Sequence, residues 1–137
     1  MTTENLESAV AVAKESYLRC QRSPLFFQTF YDRLLAADPA IPPMFARTDF
    51  ARQHKLLEHA LGLLLSFGRQ RDPALLERLA HRHGPADLDI KRPMYDTWVW
   101  ALLEAVRTHD PSWGPQVDRA WRQAIEPGIR FIAEHGR

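Results

Sequence analysis

Prolines that follow helix-capping residues divide the sequence into short segments, and this punctuation limits the fold more than any other feature. Ser23-Pro24 and Asp72-Pro73 each place a side-chain oxygen before a proline, a pattern typical of a helix N-terminus. Asp49 can cap a third helix. Between these points apolar residues recur at helical spacing, and no stretch alternates apolar and polar residues as a strand does. The sequence therefore predicts an all-α fold.

Six main helices are predicted, and each carries an apolar stripe that can face a common core. No internal repeat or linker is apparent, so we expect residues 1–137 to form a single domain. Pro127 lies inside the last helix and is expected to kink it. The predicted ranges are 2–20, 24–36, 50–67, 73–83, 93–108 and the segment after Pro115. The inward residues outside the fourth helix are Leu6, Val10, Ala13, Tyr17, Phe27, Phe30, Tyr31, Leu34, Gln53, Leu57, Ala60, Leu61, Leu64, Tyr95, Trp98, Val99, Leu102, Val106, Val117, Trp121, Ala124 and Ile125.

Charge and cysteine content argue against several kinds of protein. The 18 basic and 17 acidic residues give a net charge of +1 without a basic face, so nucleic acid is not expected as the main partner. Cys20 is the single cysteine and cannot form an internal disulfide, which favours a reducing compartment. The first residues lack the apolar core of a signal peptide, and the longest apolar run is too short to span a membrane. We therefore expect a soluble, cytoplasmic protein that does not bind membranes.

The segment LAHRHG, residues 79–84, contains two histidines that must point to different sides of a helix. His83 continues the apolar stripe of Leu79 and Ala80, whereas His81 lies about 200° away around the helix axis. This pair cannot converge on one metal ion, because two histidines on a helix need four-residue spacing to do so. A lone inward histidine is more often a hydrogen-bonded core residue than a ligand. Taken alone, His83 leaves both interpretations open.

Several short motifs occur in a specific order along the chain. They are FYDRLL (30–35), MF (44–45), TDFARQHKLL (48–57), LAHRH (79–83), IKRPMY (90–95) and AWRQAI (120–125). Their order and spacing, from about residue 4 to about residue 132, resemble the globin family. The similarity is to bacterial single-domain globins and the haem domain of flavohaemoglobins. It implies a globin fold whose helices enclose haem b.

The resemblance implies that His83 is the proximal ligand of the haem iron, which in globins is bound by a neutral imidazole. Tyr95 would lie behind His83, where it or a backbone carbonyl fixes the imidazole tautomer. Arg82 would hold a haem propionate, although a solvated surface arginine is an equal alternative. The slot for the macrocycle would comprise apolar side chains that could equally be ordinary helical core: Phe45, Leu57, Leu79, Ile90, Val99 and Leu102.

The distal ligand pocket implied by the resemblance comprises Tyr31, Gln53, Leu57 and Trp98. A buried, unpaired polar group costs roughly 1–3 kcal/mol, so the three polar tips need a partner. Bound O₂ could accept a hydrogen bond from each of them. In the alternative arrangement, Tyr31 and Trp98 reach backbone carbonyls and Gln53 is exposed. Trp98 departs from flavohaemoglobins, which usually have an aliphatic residue there, and is more typical of some truncated globins.

The resemblance assigns the other histidines and Cys20 no contact with haem, but His54 leaves an alternative open. His54, next to Gln53, could swing inward and bind the iron as a second axial ligand. Otherwise it is expected at the surface. His59, His109 and His135 are also expected at the surface, and Cys20 is expected to be inert. Glu134 is only an approximate match to the glutamate that completes the proximal cluster of flavohaemoglobins.

The function implied is reversible binding of O₂ and other diatomic gases, NO and CO, to haem. NO dioxygenase or peroxidase-type activity would need an external reductase, because the sequence contains no reductase domain. A gas sensor and a haem-free globin-fold signalling or interaction module are the alternatives. No nucleophile–base set supports a hydrolase or transferase. Whether the protein is an enzyme, and in which oligomeric state it acts, stay open.

Overall fold

The computed structural model describes residues 3–83, 90 and 92–135, with side chains at 6–81, 90 and 92–135. This part of the chain contains six α-helices and no strand, which confirms the all-α prediction. None of its helices is long and apolar enough to cross a membrane. The helices are α1 (Thr3–Gln21), α2 (Phe26–Ala37), α3 (Phe50–Gln70), α4 (Glu77–His83), α5 (Arg92–His109) and α6 (Pro115–His135), with short 3₁₀ turns at Pro42–Phe45 and Pro73–Leu75.

Two of the three predicted helix caps are confirmed. The Asp49 carboxylate accepts hydrogen bonds from the first backbone N–H groups of α3, and Asp72 caps the 3₁₀ turn before α4 in the same way. The predicted cap at Ser23 is wrong, because α2 begins only at Phe26. The Ser23 hydroxyl lies 2.8 Å from Nδ1 of His109, at the end of α5. The same hydroxyl accepts only a long local bond, from the Leu25 N–H at 3.4 Å, so its shorter contact is with a distant residue.

Other helix boundaries differ from the predictions by a few residues. Helix α3 continues three residues beyond Phe67, to Gln70, and is followed by Arg71, which adopts a left-handed conformation with φ of 56°. The Arg71 N–H bonds to the Phe67 carbonyl at 2.9 Å and closes the last turn. The predicted fourth helix is divided into a 3₁₀ turn and α4. Helix α6 continues on both sides of Pro127.

Helix α6 is the centre of the packing. Helices α1, α3 and α4 all pack on α6, while α2 packs mainly on α5. Trp121 of α6 is wholly buried. At Gly68 a Cβ atom would overlap the backbone carbonyl oxygen of Ala124, so the absence of a side chain lets α3 approach α6 closely. The predicted inward stripes of these helices are buried or half-buried throughout.

A buried polar network fastens the end of α5 to α1 and α6. The Asp110 carboxylate accepts hydrogen bonds from Arg19 Nε at 2.6 Å, Arg19 Nη2 at 2.9 Å and Ser16 Oγ at 2.6 Å. It also accepts the Ser112 N–H at 2.8 Å. Trp121 Nε1 donates to Ser16 Oγ at 2.9 Å. Asp110 is therefore a buried charge that is paired and hydrogen-bonded on several sides, as burial of a carboxylate requires.

Candidate functional site

Tyr31 is the centre of an aromatic cluster between α2 and the start of α3. Only 4% of its surface is exposed. The edges of Phe30, Phe45 and Phe50 surround its ring, with centroids 4.8, 5.8 and 5.6 Å away. The Tyr31 hydroxyl donates to the backbone carbonyl oxygen of Gln53 at 3.5 Å, which is long for an O–H···O bond. Tyr31 therefore carries a buried hydroxyl that is only weakly engaged.

Burial keeps this hydroxyl in its neutral, donating form. It raises the pKa of Tyr31 to about 12, and an interaction with the Gln53 side chain offsets only part of the increase. Tyr31 therefore reaches a backbone carbonyl, as in the alternative arrangement, but holds it loosely. The Gln53 side chain is half-buried rather than fully exposed.

Trp98 does not join Tyr31 directly. It is half-buried on α5 and packs on Phe30, with ring centroids 5.5 Å apart. Phe30 thus lies in contact with both Tyr31 and Trp98. The Gln53 side chain, by contrast, lies close enough to the Tyr31 hydroxyl to influence its pKa. The structure brings Tyr31 and Gln53 together and links Trp98 to Tyr31 through Phe30.

The apolar residues predicted to surround the macrocycle fall into two groups. Leu57 of α3 and Leu102 of α5 are buried and belong to the core. The others pack on the core but keep part of their apolar surface accessible, as does Trp98. Accessible apolar surface on several elements fits a large planar apolar group, which would cover it and gain the corresponding hydrophobic stabilisation. The partly accessible residues are Phe45, Leu79, Ile90, Trp98 and Val99.

On the proximal side, α4 presents the predicted apolar stripe. Ala80 is buried, Leu79 is half-buried and His81 is exposed, so the prediction that His81 faces solvent is confirmed. His83 is the last residue of α4. The side chains of His83 and Arg82 lie outside the described residues, so their roles as iron ligand and propionate partner stay predictions.

Tyr95, predicted to stand behind His83, is buried in the first turn of α5. Its position on the inner face of α5 agrees with the predicted stripe. Glu134, by contrast, is exposed near the end of α6. The outward position of Glu134 gives no support to a proximal glutamate at this residue.

Two histidines predicted at the surface are partly inside the protein. His54 is half-buried and its ring stacks on Tyr31, with centroids 5.5 Å apart. His109 is half-buried between the hydroxyls of Ser23 and Thr29, at 2.8 and 2.7 Å. Local periodicity missed these positions, because each depends on a partner from another helix. His59 and His135 are exposed, as predicted.

Cys20 is fully buried at the end of α1. Burial, together with the negative charge of Asp110, raises the pKa of its thiol to about 12. A buried thiol of this kind is a poor nucleophile at neutral pH, because the reactive species is the thiolate. This environment agrees with the predicted inert Cys20.

Comparison with known proteins shows which protein family the chain resembles in sequence and in fold. No protein-family model matches the sequence, and no curated protein does. A solved structure does match: a Pseudomonas aeruginosa PAO1 protein described as structurally highly homologous to a human hemoglobin. The match has a TM-score of 0.90 and 36% sequence identity, and it covers 93% of this chain and 97% of the other.

Identity at this level over nearly the whole of both chains establishes the family. The chain belongs to the globin family, as the order of its motifs predicted.

Proposed function

We propose that this globin binds haem b and, through it, reversibly binds O₂ and the other diatomic gases NO and CO. The observation that carries the proposal is the Tyr31 hydroxyl, which is buried among aromatic rings and has only a 3.5 Å bond to the Gln53 carbonyl. A buried donor this weakly satisfied has hydrogen-bonding capacity left for a small polar ligand. The globin fold and the similarity to a haemoglobin-like structure support the same conclusion.

Haem would be held by residues from several helices. His83 would supply the axial imidazole and Tyr95 would fix its orientation, while Arg82 would pair with a propionate. When bound, haem supplies an iron centre at which a diatomic gas can ligate. The half-exposed apolar residues would cover the faces and edges of the macrocycle: Phe45, Leu79, Ile90, Trp98 and Val99.

The protein's contribution on the distal side is a hydrogen-bond donor in a dry environment. The Tyr31 O–H can turn from the Gln53 carbonyl toward a ligand, and the Gln53 side chain can add a second donor. Phe45 and Phe50 pack against Tyr31 and exclude water from its ring. A hydrogen bond in such surroundings is stronger than one in water, so it would slow the release of a partly negative ligand.

Oxidative chemistry is the second part of the proposal. Dioxygenation of NO or reduction of a peroxide would each require electrons, which we propose come from a separate reductase. A reducing cytoplasm is the compartment that suits Cys20 and such a partner. A sensing role would instead require that the ligand change the contacts of the globin with another protein.

The test is spectroscopic and uses the purified chain with added haem. We expect uptake of about one haem per chain, a Soret band in the ferric and ferrous forms, and a shift of that band when CO or O₂ is added. Haem uptake without a response to gas would refute gas binding. Failure to take up haem would refute the proposal entirely and favour the haem-free interaction module.

A further inference from the structure

The ring of His54 lies parallel to the ring of Tyr31. The two ring planes differ by only 9°, with centroids 5.5 Å apart. The described phenylalanines around Tyr31 instead meet its ring at steep angles: 83° for Phe30, 65° for Phe45 and 72° for Phe50. His54 is therefore the parallel neighbour among these rings, and the phenylalanines are edge contacts.

His54 also reaches the preceding turn of α2. Its ring centroid lies 6.0 Å from that of Phe27, at an interplanar angle of 33°. Phe27 and Tyr31 are four residues apart and stand on the same side of α2. The imidazole thus inserts from α3 against two successive turns of α2. The contact between α2 and α3 is much smaller than that between α2 and α5. The inserted imidazole is therefore a substantial part of the contact between α2 and α3.

The stack matters because the Tyr31 hydroxyl is not held firmly at its own end. The C–O bond of a phenol lies in the ring plane, so the orientation of the ring decides where the hydroxyl can reach. A bond of 3.5 Å to Gln53 is too long to fix that orientation. Offset-parallel packing is a preferred arrangement of two rings, so tilting the Tyr31 plane away from its parallel neighbour would lose that interaction. His54 therefore restrains the plane of Tyr31.

We propose that His54 is a positioning residue for the distal tyrosine: its stacked ring fixes the plane of Tyr31 so that the hydroxyl is aimed at a gas ligand. The proposal rests on the proposed function for its consequence, although the stack itself does not. It assigns His54 to support of α2 and Tyr31 rather than to a second axial bond with iron. A planar ring is the feature required, and the imidazole nitrogens are not.

The test compares His54→Phe, which keeps a planar ring, with His54→Leu, which keeps bulk but has no ring face. His59→Leu is the matched control, because His59 is exposed on the same helix. In the CO form, the C–O stretching band reports the distal donor. We expect His54→Leu to move this band toward that of Tyr31→Phe and to speed O₂ release about fivefold, as partial loss of one hydrogen bond would. His54→Phe and His59→Leu should resemble the wild type.

Two results would overturn the proposal: an unchanged C–O band and O₂ release rate in His54→Leu, or equal defects in His54→Phe and His54→Leu. A second measurement does not depend on haem. The chain has 3 tyrosines, so NMR of protein carrying ¹³C-labelled tyrosine gives few ring signals, and Tyr31→Phe assigns the relevant one. The Tyr31 signal should move more in His54→Leu than in His54→Phe, while the Tyr17 signal stays. If the protein takes up no haem, the proposed function fails, and a Tyr31 signal unchanged in His54→Leu would separately overturn the stack.

Discussion

Replacing Tyr31 with phenylalanine should alter gas release far more than it alters stability. The hydroxyl of Tyr31 makes one bond of 3.5 Å in the protein alone. A typical intramolecular hydrogen bond contributes about 1 kcal/mol, and one at this length contributes less. Tyr31→Phe should therefore lower the free energy of unfolding by less than about 1 kcal/mol. It removes no ring contact, so the aromatic cluster should remain.

The effect on ligand release should be larger because the lost hydrogen bond is to a partly charged acceptor. Bonds to charged groups contribute about 1.5–3 kcal/mol, which corresponds to roughly a tenfold to hundredfold faster O₂ release in Tyr31→Phe. Stopped-flow measurement of O₂ release and urea unfolding give the two numbers. Tyr17→Phe is a closely matched control: Tyr17 is also buried, and its hydroxyl also donates to a backbone carbonyl of α3, that of Glu58, at 3.5 Å.

Tyr17→Phe should have an equally small effect on stability and none on O₂ release. The reasoning would be refuted if the two variants changed the release rate equally, or if Tyr31→Phe left that rate unchanged. A loss of several kcal/mol in Tyr31→Phe would show that the hydroxyl is firmly bonded in the protein alone, contrary to its 3.5 Å distance.

Two further predictions concern stability. Asp110→Asn should lower the free energy of unfolding by about 2–3 kcal/mol at pH 7, because Arg19 loses its buried partner. Burial raises the pKa of Asp110, but the hydrogen bonds from Arg19, Ser16 and Ser112 and the charge of Arg19 outweigh it and hold the pKa below its usual value. The stabilisation by ionised Asp110 should thus be present above about pH 4 and be lost as the pH falls through the lowered pKa. Urea unfolding between pH 7 and 3 should show this loss in the wild type but not in Asp110→Asn. Gly68→Ala should lower the free energy of unfolding by about 1–3 kcal/mol, because the new Cβ would overlap the Ala124 carbonyl. Gly62→Ala should raise it by about 0.5–1 kcal/mol, because a Cβ at Gly62 has no neighbour within 4 Å and alanine favours the helix. Thermal melts that rank the two variants the other way would contradict the packing of α3 on α6.

Local patterns in the sequence predicted the helices well, because each pattern acts within a single turn. The caps at Asp49 and Asp72 and the exposed His81 needed only spacing and side-chain chemistry. The caps also fixed the start of α3. The end of α3 was less predictable, because Arg71 adopts a left-handed conformation that residues other than glycine seldom adopt. An arginine therefore gives no signal of a helix end.

Contacts between distant residues could not be predicted in the same way. Ser23 carries a capping pattern, yet its hydroxyl contacts His109, which lies 86 positions further along the chain. In the Asp110 network, Ser16 bonds to Asp110, 94 positions further along the chain, and to Trp121, 105 positions further along. Asp110 precedes a proline, a pattern typical of an ordinary turn between helices. No local signal distinguishes such a residue from an ordinary turn aspartate.

The candidate site shows the same division. The family resemblance predicted Tyr31 and Gln53 on one side, and the structure places the Tyr31 hydroxyl on the Gln53 carbonyl. It did not predict His54 stacked on Tyr31, because spacing alone turned His54 toward the surface. Trp98 is predicted in the same pocket as Tyr31, and in the structure Phe30 contacts both. Which face of a helix a neighbour covers depends on the packing of the two helices together.

The central claim is that this chain holds haem through His83, and replacing that side chain with a cavity tests it most directly. We would compare His83→Gly with His81→Gly, which removes the exposed histidine two residues earlier on the same helix. We expect His83→Gly to lose the five-coordinate ferrous spectrum and its iron–histidine Raman band, added imidazole to restore both, and His81→Gly to behave as the wild type. An unchanged iron–histidine band in His83→Gly would instead mean that another residue binds the iron.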